Sequence, residues 1–126
     1  MSLPVTSLTA IALALWLIVL TLRVVRMRRS AGVAMGDNGD RALAKAIRGQ
    51  ANLTEQAPIA LIVMGLAELQ GASLLWLPAL ILVLGRLLHG LYFGWHGLHW
   101  RLRFWGMWAT VVAQGLLVLS LALTLV

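Results

Sequence analysis

From Leu3 to Leu22 the chain carries no charged side chain. A bilayer's hydrocarbon core takes about 20 residues of helix to cross, so this run is long enough to span it. A signal peptide carries its positive charge ahead of its apolar core. Here Met1 and Ser2 bring none, and the charge follows the run at Arg23, Arg26, Arg28 and Arg29. That order is expected of a first membrane helix whose C-terminal end lies in the cytoplasm.

The rest of the chain agrees with a membrane setting. Of its 126 residues 61% are hydrophobic and 11% are charged, whereas a soluble domain has about 25% charged. Charge so sparse excludes an ordinary water-soluble enzyme. Disorder needs the opposite bias, low hydrophobicity with high charge. The length holds about four spans in one domain. A net charge of +6 would point to nucleic acid if it were spread over a surface. It is concentrated beside apolar runs instead, so no nucleic-acid partner is expected. There is no cysteine, which excludes disulfides, a cysteine nucleophile and a thiolate metal site. Any thiol chemistry must then use a substrate's thiol.

The expected architecture is an all-α integral membrane protein: one four-transmembrane-helix bundle over 1–126, with helices at about 3–22, 41–69, 74–93 and 104–126. Ser30 to Asp40, with three glycines and Asn38, reads as a loop. Asp40 or Asn38 is in position to cap the second helix. Pro58 falls inside that helix and is expected to kink it, while Pro78 lies in the first turns of the third, where a missing donor costs little. Trp95, Trp100, Trp105 and Trp108 have the placement of an interfacial aromatic belt. Arg23 to Lys45 holds six basic residues, Glu68 to Ser73 holds none, and the third connection brings Arg101 and Arg103. Loops one and three are therefore expected in the cytoplasm, with both termini on the opposite side.

Polar groups inside spans are the candidates for chemistry, because they are costly to keep there. Arg41, Lys45, Arg48, Asn52 and Glu55 fall within an arc of about 80° on the second helix, one stripe running inward from its cytoplasmic end. Arg41 and Lys45 suit a snorkelling basic collar. Asn52 and Glu55 lie too deep for that role and read as functional. On the third helix Arg86, His89 and Phe93 share a face, and Tyr92 points away from it. Arg86 cannot face lipid cheaply, and Glu55 is its expected partner. His89 reads equally as a hydrogen-bonded packing residue or as part of a site. Together these groups would form a partly buried cationic pocket open to the cytoplasm. Guanidinium forks hold carboxylates in a bidentate way, and a carboxylate holds an ammonium group. A ligand with two carboxylates and one ammonium would match; glutathione is one of many.

The run Arg48-x-x-x-Asn52-x-x-Glu55-x-x-Pro58 resembles the signature of the MAPEG family, the membrane-associated proteins in eicosanoid and glutathione metabolism. Gly85-Arg86-Leu-Leu-His89 is similar to that family's third-helix motif, and Arg103-x-x-Gly106 to the basic position opening its fourth helix. The resemblance covers the chain from about Leu3 to the end, and its short loops look like the bacterial branch. It implies a homotrimer in a bacterial inner membrane, with glutathione bound between subunits near the cytoplasmic side. It implies that Arg48, Asn52 and Glu55 hold the glutathione backbone, that Arg86 and His89 line the same site, and that Arg103 lies near the sulfur. A cation there would favour the thiolate. Hydrophobic small molecules would enter from the lipid. Two positions depart from several eukaryotic members: Ala51 stands where a basic residue precedes the motif's Asn, and Phe93 stands where Tyr follows the third-helix His, with Tyr92 one place early.

The resemblance implies a glutathione-dependent transferase or peroxidase acting on hydrophobic electrophiles. A non-enzymatic membrane scaffold, or an accessory subunit of a larger membrane complex, shares every fold feature. A small transporter with Glu55 as a proton-coupled carboxylate is disfavoured, because neighbouring arginines would hold Glu55 ionised.

Overall fold

The computed structural model describes residues 2–126. It is an all-α bundle of four helices: α1 (Pro4–Ala31), α2 (Arg41–Leu69), α3 (Trp76–Gly94) and α4 (Arg101–Leu123). By length and composition α1, α3 and α4 are each apolar enough to cross a membrane. The charged first half of α2 sets it apart from these three. The helices α2 and α3 sit in the middle; α1 packs on both from one side, α4 packs on both from the other, and α1 does not touch α4.

The first helix does not end near Leu22, where its apolarity ends. It runs on to Ala31, so Arg23, Arg26, Arg28 and Arg29 stand on helix and not on a loop. Nothing between Leu22 and Gly32 breaks a helix, and Arg and Met favour one. Gly32 stops it in the left-handed conformation, its N–H donating to the carbonyls of Arg28 and Arg29, as helix ends commonly do. Of the two candidate caps of α2, Asp40 takes the role: its side chain accepts from the N–H groups of Ala42 and Leu43. The helix α2 is continuous through Pro58. The third helix starts at Trp76 and the fourth already at Arg101, so Arg103 lies in the first turn of α4.

Two glycines set the approach of α3 to α4. A Cβ on Gly106 would lie 2.6 Å from the His89 N and 2.7 Å from the Gly85 carbonyl oxygen. Small residues let membrane helices come this close. On the other side of α3, Gly90 receives the Trp16 ring, and the Trp16 indole donates to the Arg86 carbonyl at 3.1 Å. The core is filled by Leu13, Leu20, Leu53, Met64, Leu82 and Leu117, each at most 3% exposed.

Glu68 closes the end of the bundle that carries the termini. Its carboxylate accepts from the N–H groups of Val5 (2.8 Å) and Thr6 (2.9 Å) and from the Thr6 hydroxyl (2.6 Å). It therefore serves as the cap that α1 lacks from its own Leu3. A carboxylate there also meets the positive end of the helix dipole.

Candidate functional site

At the opposite end, α2, α3 and α4 leave an open cleft of about 460 Å³ lined by Arg48, Asn52, His89, Phe93, Arg103, Phe104, Met107 and Trp108. The two walls differ in chemistry. Arg48 and Asn52 from α2 and His89 from α3 make one wall polar. Phe104, Met107 and Trp108 from α4 make the other largely apolar, and Arg103 caps it from the first turn of the same helix. Four of the six candidate residues thus meet here: Arg48, Asn52, His89 and Arg103. Phe104 and Trp108 are also exposed outward, at 42% and 52%, so the apolar wall is continuous with the outer surface of the bundle.

Arg86 stands behind the polar wall, 2% exposed. Its Nη1 donates to the Asn52 side-chain oxygen at 2.6 Å and its Nε to the Thr110 hydroxyl at 2.8 Å. The Thr110 hydroxyl in turn donates to the Gly106 carbonyl at 2.9 Å. The remaining Arg86 Nη2 is buried and makes no hydrogen bond among the described residues. A buried charged donor without a partner is costly, so this cation is positioned to favour an anion or a water brought near it.

The expected Arg86–Glu55 pair does not form. Glu55 pairs with Arg48, at 3.1 and 3.4 Å from its two carboxylate oxygens, with about half of each side chain exposed. The reason lies in helix geometry. Three residues turn a helix by about 300°, which leaves Glu55 some 60° away from Asn52 around α2. Asn52 falls on the side facing α3, 6% exposed, and takes the guanidinium. Glu55 falls on the outer face. The stripe that reads as one surface in sequence is divided by the edge of the core. That outer face continues as Ile59, Ile62, Leu66 and Leu69, each 46–58% exposed.

Phe93 lines the cleft beside His89, their ring centroids 4.8 Å apart. It rests against Gly49, where a Cβ would come within 2.5 Å of the Phe93 Cβ. Tyr92 turns out of the cleft, and the Lys45 ammonium lies 3.7 Å over its ring centroid. No tyrosine hydroxyl therefore enters the cleft. Lys45 is held outside it as well.

Sequence reasoning missed Thr110 and the apolar wall of α4. Thr110 follows Gly106 by one helical turn, and a hydroxyl in an apolar helix gives no sign of its partner. Trp108 carried a signal as an interfacial aromatic, and its cleft-facing role depends on how α4 docks.

Residues 6–123 match the MAPEG family. Inner membrane protein YecN of Escherichia coli (strain K12) is 39% identical over 118 residues, covering 92% of this chain and 88% of its own. YecN of Escherichia coli O6:H1 matches to the same extent. The matched span takes in all four helices, the three motifs carried by α2, α3 and α4, and the whole of the cleft they enclose. The chain belongs to the MAPEG family.

Proposed function

We propose that the cleft binds glutathione and serves a transferase or peroxidase reaction on hydrophobic electrophiles at the membrane. The observation that carries this reading is the pairing of a cationic, amide-bearing wall with an apolar wall open to the outer surface. A tripeptide with two carboxylates needs the first; an apolar co-substrate arriving from lipid needs the second. Membership of a family associated with glutathione-using proteins supports it.

In this reading Arg48 and Asn52 hold the peptide backbone of glutathione, and Glu55 takes its ammonium group. His89 lines the deep side, with Arg86 buried behind it, where its positive charge favours an anionic ligand in the cleft. Arg103 stands at the mouth beside the apolar wall. A guanidinium close to a thiol lowers its pKa and raises the thiolate fraction at neutral pH. The chain has no cysteine, so the substrate supplies the nucleophile.

The protein works as a homotrimer in an inner membrane, with loops one and three in the cytoplasm. The exposed Arg48–Glu55 pair and the apolar face that continues it favour a second copy against α2. Facing lipid, that ion pair would be costly; at a subunit contact it lies beside the cleft and is shielded. A second reading, a non-enzymatic scaffold or an accessory subunit of a larger membrane complex, is favoured by one observation: Phe93 and not a tyrosine lines the cleft. Thermal unfolding in mild detergent separates the two. A ligand that binds only the folded state raises the melting temperature, so glutathione is expected to raise it in the parent and not in Arg48→Gln. No rise in the parent would leave the scaffold reading.

A further inference from the structure

The Arg-rich end of α1 has a built face that the cleft does not use. A groove of about 530 Å³ is lined there by Val19, Leu22, Arg23, Arg26, Arg29 and Trp95, among others. Arg23 is engaged: its Nε donates to the Gly94 carbonyl at 2.9 Å, and its guanidinium lies 5.7 Å from the Trp95 ring centroid. Arg26 and Arg29 are exposed, and among the described residues neither makes a side-chain hydrogen bond or an ion pair. At 100° per residue these two cations lie within about 60° of one another. They stand directly above the exposed apolar stripe Leu8, Ile11, Leu15, Ile18 and Leu22, each 54–62% exposed, which occupies the same sector of the helix.

We propose that this face is a binding site for an anionic phospholipid, with the phosphate held by Arg26 and Arg29 and an acyl chain laid along Leu22, Ile18 and Leu15. Guanidinium forks match phosphate oxygens in a bidentate way, and unpaired arginines at the membrane surface are drawn to anionic lipid. The apolar stripe leads into the hydrocarbon from the cations themselves, so a headgroup and its chain are accommodated by one helix face. A second copy of this chain is the poorer occupant. A parallel contact through the same stripe would bring Arg26 and Arg29 of both copies together. Arg28 points to the other side of α1 and donates to the Gly36 carbonyl, which makes it a control of equal charge.

The test is native mass spectrometry of the full chain in detergent, titrated separately with phosphatidylglycerol, phosphatidylcholine and glycerol 3-phosphate. Phosphatidylglycerol is expected to bind in preference to the other two. R26Q/R29Q is expected to weaken it about tenfold or more, given what each basic residue contributes at an anionic surface, while R28Q/R101Q leaves it within about twofold. Equal weakening in both double variants would reduce the effect to net charge and overturn the site. Equal binding of phosphatidylcholine, or equally tight binding of glycerol 3-phosphate, would also overturn it. A photoactivatable phosphatidylglycerol on the unmodified protein needs no variant to fold: cross-links are expected at Val19, Leu22 and Val25, and their confinement to α4 would refute the proposal. A Leu15→Cys protein that forms disulfides between copies in membranes would refute it in favour of self-association.

Discussion

Arg86 reaches from α3 to the side-chain oxygen of Asn52 on α2, at 2.6 Å, with both residues closed off from solvent. This bond ties the middle pair of helices at the depth of the cleft. Asn52→Ala removes it and leaves a second guanidinium nitrogen without a partner. The expected loss is about 1.5–3 kcal/mol, the range for a hydrogen bond to a charged group. Asn52→Asp keeps an acceptor in place and is expected to recover most of it. Thermal unfolding of the three proteins in one detergent decides; an Ala variant as stable as the parent would mean the bond contributes nothing.

Glu55 tests the ligand site apart from the fold. Its pair with Arg48 lies on the outer face of α2, about half exposed in the subunit and outside the packing of α2 on α3 and α4. Glu55→Gln should therefore leave the subunit folded. It is expected to abolish the glutathione-dependent rise in melting temperature, because the ammonium group loses its counter-charge. A folded Glu55→Gln protein that binds glutathione as tightly as the parent removes Glu55 from the site.

Gly106→Ala should strain the α3–α4 crossing. The added methyl would meet the His89 N at 2.6 Å and the Gly85 carbonyl at 2.7 Å, both backbone atoms that cannot swing aside. Overpacking of this kind costs about 1–3 kcal/mol. The same displacement would draw Thr110 away from Arg86. A melting temperature unchanged from the parent would show that the helices separate freely.

The charge distribution predicts which ends face the cytoplasm. Ser30 and Ser73 are both exposed, at opposite ends of the bundle. A cysteine replacing Ser73 should react with an impermeant thiol reagent in intact cells. One replacing Ser30 should react only after the membrane is opened. The reverse pattern would invert the orientation.

Much of the fold is readable from the chain because long uncharged runs and glycine-rich breaks are one-dimensional signals. The end of α1 is not, since a helix stops at a breaker such as Gly32 and not where hydrophobicity fades. The residues that line the cleft on α2 and α3 meet because helical spacing fixes their shared faces. The partner of Arg86 was less legible. Choosing Asn52 over Glu55 is a matter of about 60° around α2, and which of the two meets Arg86 is decided by how α2 packs on α3, where Gly49 meets Phe93; the crossing of α3 on α4 is set separately, by Gly85 against Gly106. Thr110 is brought in by that same crossing.

Loss of the Glu68 carboxylate should loosen the far end. Glu68→Gln keeps one acceptor for the N–H groups of Val5 and Thr6 but removes the charge that faces the helix terminus. A cost of about 1 kcal/mol is expected, read by unfolding in detergent and by faster amide exchange at the start of α1. Unchanged exchange at Thr6 would show that the cap does not restrain it.

Tyr92 and Phe93 are neighbours in sequence, yet one stacks beneath Lys45 outside the cleft while the other lies beside His89 within it. Exchanging the two residues would create an isomer of the protein, with the same composition, mass and charge, that differs only in the direction of one phenol. Chemistry at the cleft is thus separated from a tyrosine-bearing version of itself by a transposition, not by the acquisition of any new atom.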